Sequence, residues 1–195
     1  MKAQKILYLI LDNIRSLHNV GSMFRTADAF GVTKIYLCGY TGKPVDRLGK
    51  PVKEITKTAL GAEHAVPWEY AKHTWRIVEA LKDRGVHVVA LENNVKGVVS
   101  LEKFRARFPL ALIVGNEVYG ISPAILKRAD AIVSIPMHGT KESLNVSVAC
   151  GIALWETFIR LTPNVLHAIL KKLVVNLRET KKGEGLCKLI ERGGM

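Results

Sequence analysis

The sequence has little of what would mark several large protein classes. Its three cysteines, Cys38, Cys150 and Cys187, are spread through 195 residues, with no Cys-x-x-Cys and no histidine pair at ligand spacing. Neither a disulfide framework nor a zinc or other metal site is expected. No apolar stretch approaches the roughly 20 residues of a membrane span. Asp12, Asn13 and Arg15 break the first apolar run at once, so the N-terminus lacks the order of a signal peptide. A reducing cytoplasm is the expected compartment, with no membrane association. Repeats and low-complexity tracts are missing. That first run ends in Asp12-Asn13-Ile14-Arg15-Ser16, without the Gly-x-Gly-x-x-Gly turn of dinucleotide-binding folds. A P-loop and a Gly-x-Ser-x-Gly elbow are absent too, so any cofactor is held in another way. Acidic residues are also scarce, 17 against 29 lysines and arginines, which leaves a net charge of +12. Such an excess points to a polyanionic partner, nucleic acid ahead of a membrane surface.

What is present is ample apolar material: 48% of the residues are hydrophobic, enough for one well-buried domain. Five short apolar runs, Ile6 to Leu11, Lys34 to Leu37, Val86 to Leu91, Leu110 to Val114 and Ala131 to Ile135, have strand length. Their continuous apolarity implies burial on both faces, hence an α/β fold with a mainly parallel sheet and helices on both sides. Helices are predicted at about 19–30, 53–60, 69–84, 122–128 and 143–160, with Gly31 and Gly85 as stops, Ser122-Pro123 as a start and Ser143 as an N-cap. Gly39 to Gly61 reads as a loop with at most one short helix, and its Lys43, Arg47, Lys50, Lys53 and Lys57 form a candidate phosphate-contacting surface. The composition changes after Pro163, where Val165 to Leu177 is amphipathic and Lys181 to Met195 is basic and glycine-punctuated. The expected organisation is therefore one domain over 1–162 and a basic helical tail over 163–195.

Three polar constellations stand where strands give way to helices, the usual ligand edge of an α/β sheet. In His18 to Ala27, Asn19 lies near a helix start, and Arg25 sits among Phe24, Ala27 and Phe30, where it needs an anionic partner or a route to water. In Ile113 to Pro123, Gly115 and Gly120 permit close backbone approach, and Glu117 places an acid at the mouth. In Ile135 to Trp155 a polar loop leads into a helix, with Ser143 and Asn145 at its entrance. The next turns of that helix, Val148 to Trp155, are nearly all apolar on both faces, as expected of a subunit interface.

Taken in order, Asn19-x-Gly21-x-x-x-Arg25-Thr26-Ala27, Gly115-Asn116-Glu117-x-x-Gly120 and Ile135-Pro136-Met137…Ser143-Leu144-Asn145-Val146-Ser147-x-Ala149 resemble the three signature motifs of the SpoU/TrmH branch of the SPOUT RNA methyltransferases. Lys57 to Glu63, before Val66-Pro67, resembles a linker common in that family. The resemblance covers residues 5 to 160 and implies a C-terminal deep trefoil knot, an exception to the general rule against knots. It also implies S-adenosylmethionine as cofactor, lined by Leu91, Glu92, Gly115, Asn116, Ile135, Met137 and Leu144, and a homodimer in which both protomers complete each site.

The reaction implied is methyl transfer to a ribose 2′-hydroxyl of RNA. The family's catalytic positions fall on Arg25, Asn19, Glu117, Ser143 and Asn145. An arginine with a pKa above about 12 is a poor general base, so Arg25 is expected to clamp a phosphate and polarise the hydroxyl. Ribosomal-RNA members often carry an extra N-terminal RNA-binding domain, whereas this sequence starts at the first strand, which favours tRNA over rRNA as the expected substrate. The alternatives within the resemblance are a catalytically inactive RNA-binding homologue and a base-methylating enzyme of the same superfamily.

Overall fold

In a computed structural model, residues 6–93 and 95–161 are described, the last four by backbone alone. The unit that ends at Glu156 holds the whole sheet, and the predicted tail over 163–195 lies outside the described residues. Seven strands, β1 (Leu7–Asp12), β2 (Lys34–Cys38), β3 (Trp68–Ala71), β4 (His87–Leu91), β5 (Val99–Ser100), β6 (Leu110–Val114) and β7 (Ala131–Ser134), form one sheet in the order β3-β2-β1-β6-β4-β7-β5. Every pairing is parallel; Leu9, for instance, lies opposite Ile35 on one side and Leu112 on the other.

The continuous apolar runs divide between two cores, as the period of 2 along a strand requires. Leu7, Leu9 and Leu11, with Leu110, Leu112 and Val114, face one core. Ile10, Ala111 and Ile113 face the other. On the first face lies α1 (Leu17–Ala29), whose Val20, Met23, Phe24 and Ala27 recur at helical spacing and are fully buried. The start of α6 (Val146–Leu161) packs there too, through Cys150, Ala153 and Leu154. The opposite face is covered by Val78 and Leu81 of α4 (Thr74–Lys82) and Ile125 of α5 (Pro123–Leu126). Each fully buried Val, Leu, Ile, Met or Phe among these stabilises the fold by roughly 1.5–3 kcal/mol in transfer terms. Two short helices, α2 (Lys53–Ala59) and α3 (Ala62–Ala65), close the basic loop. Gly21 lets α1 approach α2, since a Cβ there would meet the carbonyl oxygen of Ile55 and the hydroxyl of Thr58.

Three local expectations are corrected. The helix predicted over 69–84 is a strand followed by a shorter helix: Trp68–Ala71 joins the sheet edge beside β2, and only Thr74–Lys82 is helical. Pro67 favours extended backbone, and the ladder from Ile35 to Cys38 outweighs the helical preference of Glu69 and Ala71. The two-residue β5 is too short to leave a periodic signal. The last helix begins at Val146 and is capped by Asn145, whose Oδ1 accepts from the Ser147 amide at 2.9 Å, so Ser143 is not its N-cap.

Candidate functional site

The C-terminal ends of β4, β6 and β7 open into a cleft between the loops that follow them. Six of the seven residues expected at the cofactor, Leu91, Glu92, Gly115, Asn116, Ile135 and Leu144, line this cleft, and Ser143 forms part of its wall. Met137 does not. Strand geometry ends at Ser134, and Pro136 and Met137 line a neighbouring hollow that shares Asn93 and Ile135 with the cleft.

Local chemistry fixes the walls. Glu92 accepts from the Asn93 amide at 2.9 Å through Oε1 and from the Ile121 amide at 2.7 Å through Oε2, tying the end of β4 to the turn after β6. Gly115 permits that turn to fold back, because a Cβ would stand 2.6 Å from the Gly120 carbonyl carbon and 2.7 Å from the Ile121 nitrogen. The Asn116 side chain is wholly engaged. Its Oδ1 accepts from the amides of Val118 and Tyr119, and its Nδ2 donates to the Asn13 carbonyl and to the Tyr40 hydroxyl. Leu91, Val114, Ile135, Leu144, Val146 and Ala149 supply apolar surface. Among the described residues the charged lining is Glu92 and Glu117, with no lysine or arginine.

Beside the cleft, Glu117, Asn19 and Asn145 form one network. Glu117 accepts from the Arg15 amide at 2.8 Å, the Ser16 amide at 3.0 Å and Asn19 Nδ2 at 2.9 Å. Asn145 Nδ2 donates to Asn19 Oδ1 at 3.2 Å. This joins the start of α1, the turn after β6 and the start of α6, three segments remote in sequence. Partial burial alone would raise the pKa of Glu117, but the three donated bonds outweigh it and hold the carboxyl below its ordinary range. Ser16 caps α1 by accepting from the Asn19 amide, so Asn19 is fixed by backbone and side chain alike.

Arg25 stands apart. It is exposed and makes no ion pair among the described residues, so of the anionic partner and the route to water that its apolar neighbours called for, the described residues supply the route to water. Six residues along α1 place it roughly 9 Å up the axis and about 120° around from Asn19, away from the network.

Sequence reasoning missed Asn13 and Tyr40. Asn13 takes a left-handed φ of 57°, which asparagine tolerates, and its Nδ2 donates to Asp12. Asp12 is buried and also accepts from the Thr74 hydroxyl. Desolvation raises its pKa, and the Thr74 bond only partly offsets that. The signal available was a polar Asp-Asn pair ending the first apolar run. Among the described residues, no group of three potential ligands converges on a metal position, and no helix is long and apolar enough to cross a membrane.

Comparisons with known proteins bear on the family and the fold. A 23S rRNA (guanosine-2′-O-)-methyltransferase from Nitrosomonas europaea is 36% identical over 152 residues, 78% of this chain and 55% of that protein. A tRNA (guanosine(18)-2′-O)-methyltransferase from Aquifex aeolicus is 35% identical over 80% of this chain and 70% of its own length. Among solved structures, an AdoMet-bound rRNA methyltransferase from Sinorhizobium meliloti superposes with a TM-score of 0.71 at 31% identity, over 80% of this chain and 57% of that one. The chain spans 55–62% of the length of the first curated relatives it matches. Residues 6–155 match the model of the SpoU rRNA Methylase family, and the chain belongs to that family.

Proposed function

We propose that this protein is an S-adenosylmethionine-dependent methyltransferase acting on a ribose 2′-hydroxyl of tRNA or rRNA. The observation that carries this reading is the cleft itself: a slot of mixed apolar and polar lining with two carboxylates and, among the described residues, no basic side chain, bordered by the Asn19–Glu117–Asn145 network. Such a lining suits a cofactor with an aromatic base and a positive sulfonium, and it disfavours one bearing phosphates. When bound, S-adenosylmethionine supplies a methyl group on a sulfonium whose thioether is an excellent leaving group.

The protein's own task is then alignment. Leu91, Ile135 and Leu144 would enclose the adenine, with exposed backbone groups of the three loops reading its edge. Glu117 would hold Asn19, Asn19 and Asn145 would orient the ribose, and Ser143 would fix the loop over the cleft. Arg25 would clamp the adjacent phosphate and polarise the attacking hydroxyl, whose proton would pass to that phosphate as the carbon–oxygen bond forms and the methyl–sulfur bond breaks. Because Arg25 points away from its own network, the reading includes a homodimer in which Arg25 of one protomer serves the cleft of its partner. Val148, Ile152 and Trp155 support it: they form an exposed stripe on α6, and Trp155 lies beside Phe30 of α1 with ring centroids 6.0 Å apart. The knot belongs to the same reading, and the sheet order supports it, since β7 enters between β4 and β5 after both precede it in the chain. The exposed Lys43, Arg47, Lys50, Lys53 and Lys57 would meet RNA phosphates. A cytoplasmic location fits the buried free thiols of Cys38 and Cys150.

The test is incubation with total tRNA and, separately, total rRNA plus radiolabelled cofactor, followed by digestion to nucleosides. Label in a 2′-O-methylated nucleoside is expected, and label on a base or none at all refutes the proposal. Arg25→Ala should abolish transfer while leaving cofactor affinity within about twofold, as expected of a group outside the cleft; near-normal turnover overturns its assigned role.

A further inference from the structure

Tyr119 and Tyr40 are 86% and 59% exposed, although burying an aromatic ring is favourable. Both border a hollow whose floor is Asp12, Asn13 and Asn116 and whose far wall is Gly120 and Ser122. The Ser122 side chain caps nothing on α5, which leaves its hydroxyl free for a ligand. The Tyr40 ring and the Tyr119 backbone are held in place. Asn116 donates to the Tyr40 hydroxyl at 2.7 Å and accepts from the Tyr119 amide at 2.8 Å, so one side chain sets both loops. A pre-positioned ring loses little entropy when a flat partner stacks on it.

Tyr40 also lines an adjoining groove with Lys43, Arg47 and Tyr70. Tyr70 is fixed as well, its hydroxyl donating to the Gly39 carbonyl at 2.8 Å, and Lys43 Nζ lies 5.1 Å from its ring centroid. Tyr70 belongs to β3, Tyr40 follows β2 and Tyr119 follows β6. The three rings therefore run across the C-terminal edge of the sheet towards the cleft, which shares Asn116 and Gly120 with the hollow. Aromatic rings alternating with cations along a groove match the chemistry of an unpaired RNA strand: bases stack on the rings, and phosphates meet the lysine and arginine.

We infer that the hollow between Tyr40 and Tyr119 seats one unpaired base of the substrate RNA next to the methylated nucleotide, and that the Lys43–Arg47–Tyr70 groove carries the strand onward. The inference rests on the proposal that the substrate is RNA. Stacking of this kind changes affinity by roughly fivefold or more per base.

The experiment uses the full chain and two ten-nucleotide probes of equal charge, oligouridylate and an abasic ribose-phosphate strand, with binding read by fluorescence anisotropy at low salt. Wild type should bind the uridine strand at least about fivefold more tightly than the abasic one. Tyr119→Ala and Tyr40→Ala should lose that preference while keeping the affinity for the abasic strand, and Tyr119→Phe should retain it. Tyr119 is too exposed for its removal to disturb the core, and equal melting temperatures would confirm this. An undiminished preference in both alanine variants, or none in wild type, overturns the inference. Methylation of total RNA by the wild type is scored separately. Transfer without a tyrosine-dependent preference sinks the base seat alone, whereas a tyrosine-dependent preference without transfer sinks the proposed activity alone.

Discussion

Glu117 is where the structure allows a perturbation to be worked through. Its carboxylate accepts from the Arg15 amide, the Ser16 amide and Asn19 Nδ2 at 2.8–3.0 Å. Glu117→Gln keeps one accepting oxygen and turns an amide towards at least one of those donors, so one or two of the bonds are lost. The freed donors lie at the surface and rehydrate, which puts the cost near the lower end of the usual net value, about 1 kcal/mol in all. For a chain of this size that lowers Tm by roughly 2–4 °C at pH 7, and Glu117→Ala should cost about twice as much. The pH dependence provides a sharper check. Because the folded pKa is depressed, the contribution is fully present above the ordinary carboxylate pKa of 4.5 and is lost as pH falls through the lowered folded value. The Tm gap between wild type and Glu117→Gln should therefore shrink steadily below about pH 4.5. Melts followed by circular dichroism at pH 7, 5, 4 and 3 give the answer. An equal gap at every pH, or none at pH 7, would show that the three bonds do not hold the carboxylate as argued. Since Glu117 and Asn19 act as one unit, the Glu117→Ala and Asn19→Ala losses in kcat should be strongly non-additive.

Gly115→Ala should destabilise the fold and weaken cofactor binding together, because the added methyl meets backbone at Gly120 and Ile121; isothermal titration and a melt on the same sample test this, and an unchanged cofactor affinity counts against it. Asp12 behaves in the opposite sense to Glu117. Its burial-raised pKa makes the wild type lose stability as pH rises through that value, so Asp12→Asn should gain relative to wild type between pH 4 and pH 7; a constant difference across that range would dismiss desolvation as the cause. On the proposed homodimer, Trp155→Glu together with Val148→Glu should give a monomer in sedimentation and abolish transfer, whereas monomeric wild type would remove the shared-site argument.

The elements legible in the sequence were those whose signal is burial. Continuous apolar runs marked β1, β2, β4, β6 and β7 because each is covered on both faces, and Gly31 as a stop marked the end of α1, whose Val20, Phe24 and Ala27 are buried. Trp68–Ala71 escaped for the converse reason. An edge strand with Glu69 and Tyr70 exposed carries no periodic burial, and only its ladder with β2 makes it extended. The site divides along the same line. Glu92 and Gly115 follow apolar strands directly, so their place at the mouth can be read from position alone. The bonds from Glu117 to Arg15, Ser16 and Asn19 span about 100 residues and become visible only once the sheet sets β1 beside β6.

Asn116 shows why a residue's place in a motif and its physical task need separate arguments. Its position in Gly115-Asn116-Glu117 suggests contact with a cofactor, and its residue does border the cleft. Yet all four of its side-chain hydrogen bonds are spent within the protein, two on the amides of its own turn, one on Asn13 and one on Tyr40. A side-chain amide so engaged has little left to offer a ligand; what it provides is the fixed position of everything around it. The turn that Gly115 makes possible and Asn116 locks presents Glu117 to the α1 network on one side and Tyr119 to the hollow on the other. The candidate cleft, the Glu117 network and the inferred base seat thus share one turn at the end of β6, so on the proposed function the geometry of transfer is set there before any ligand arrives.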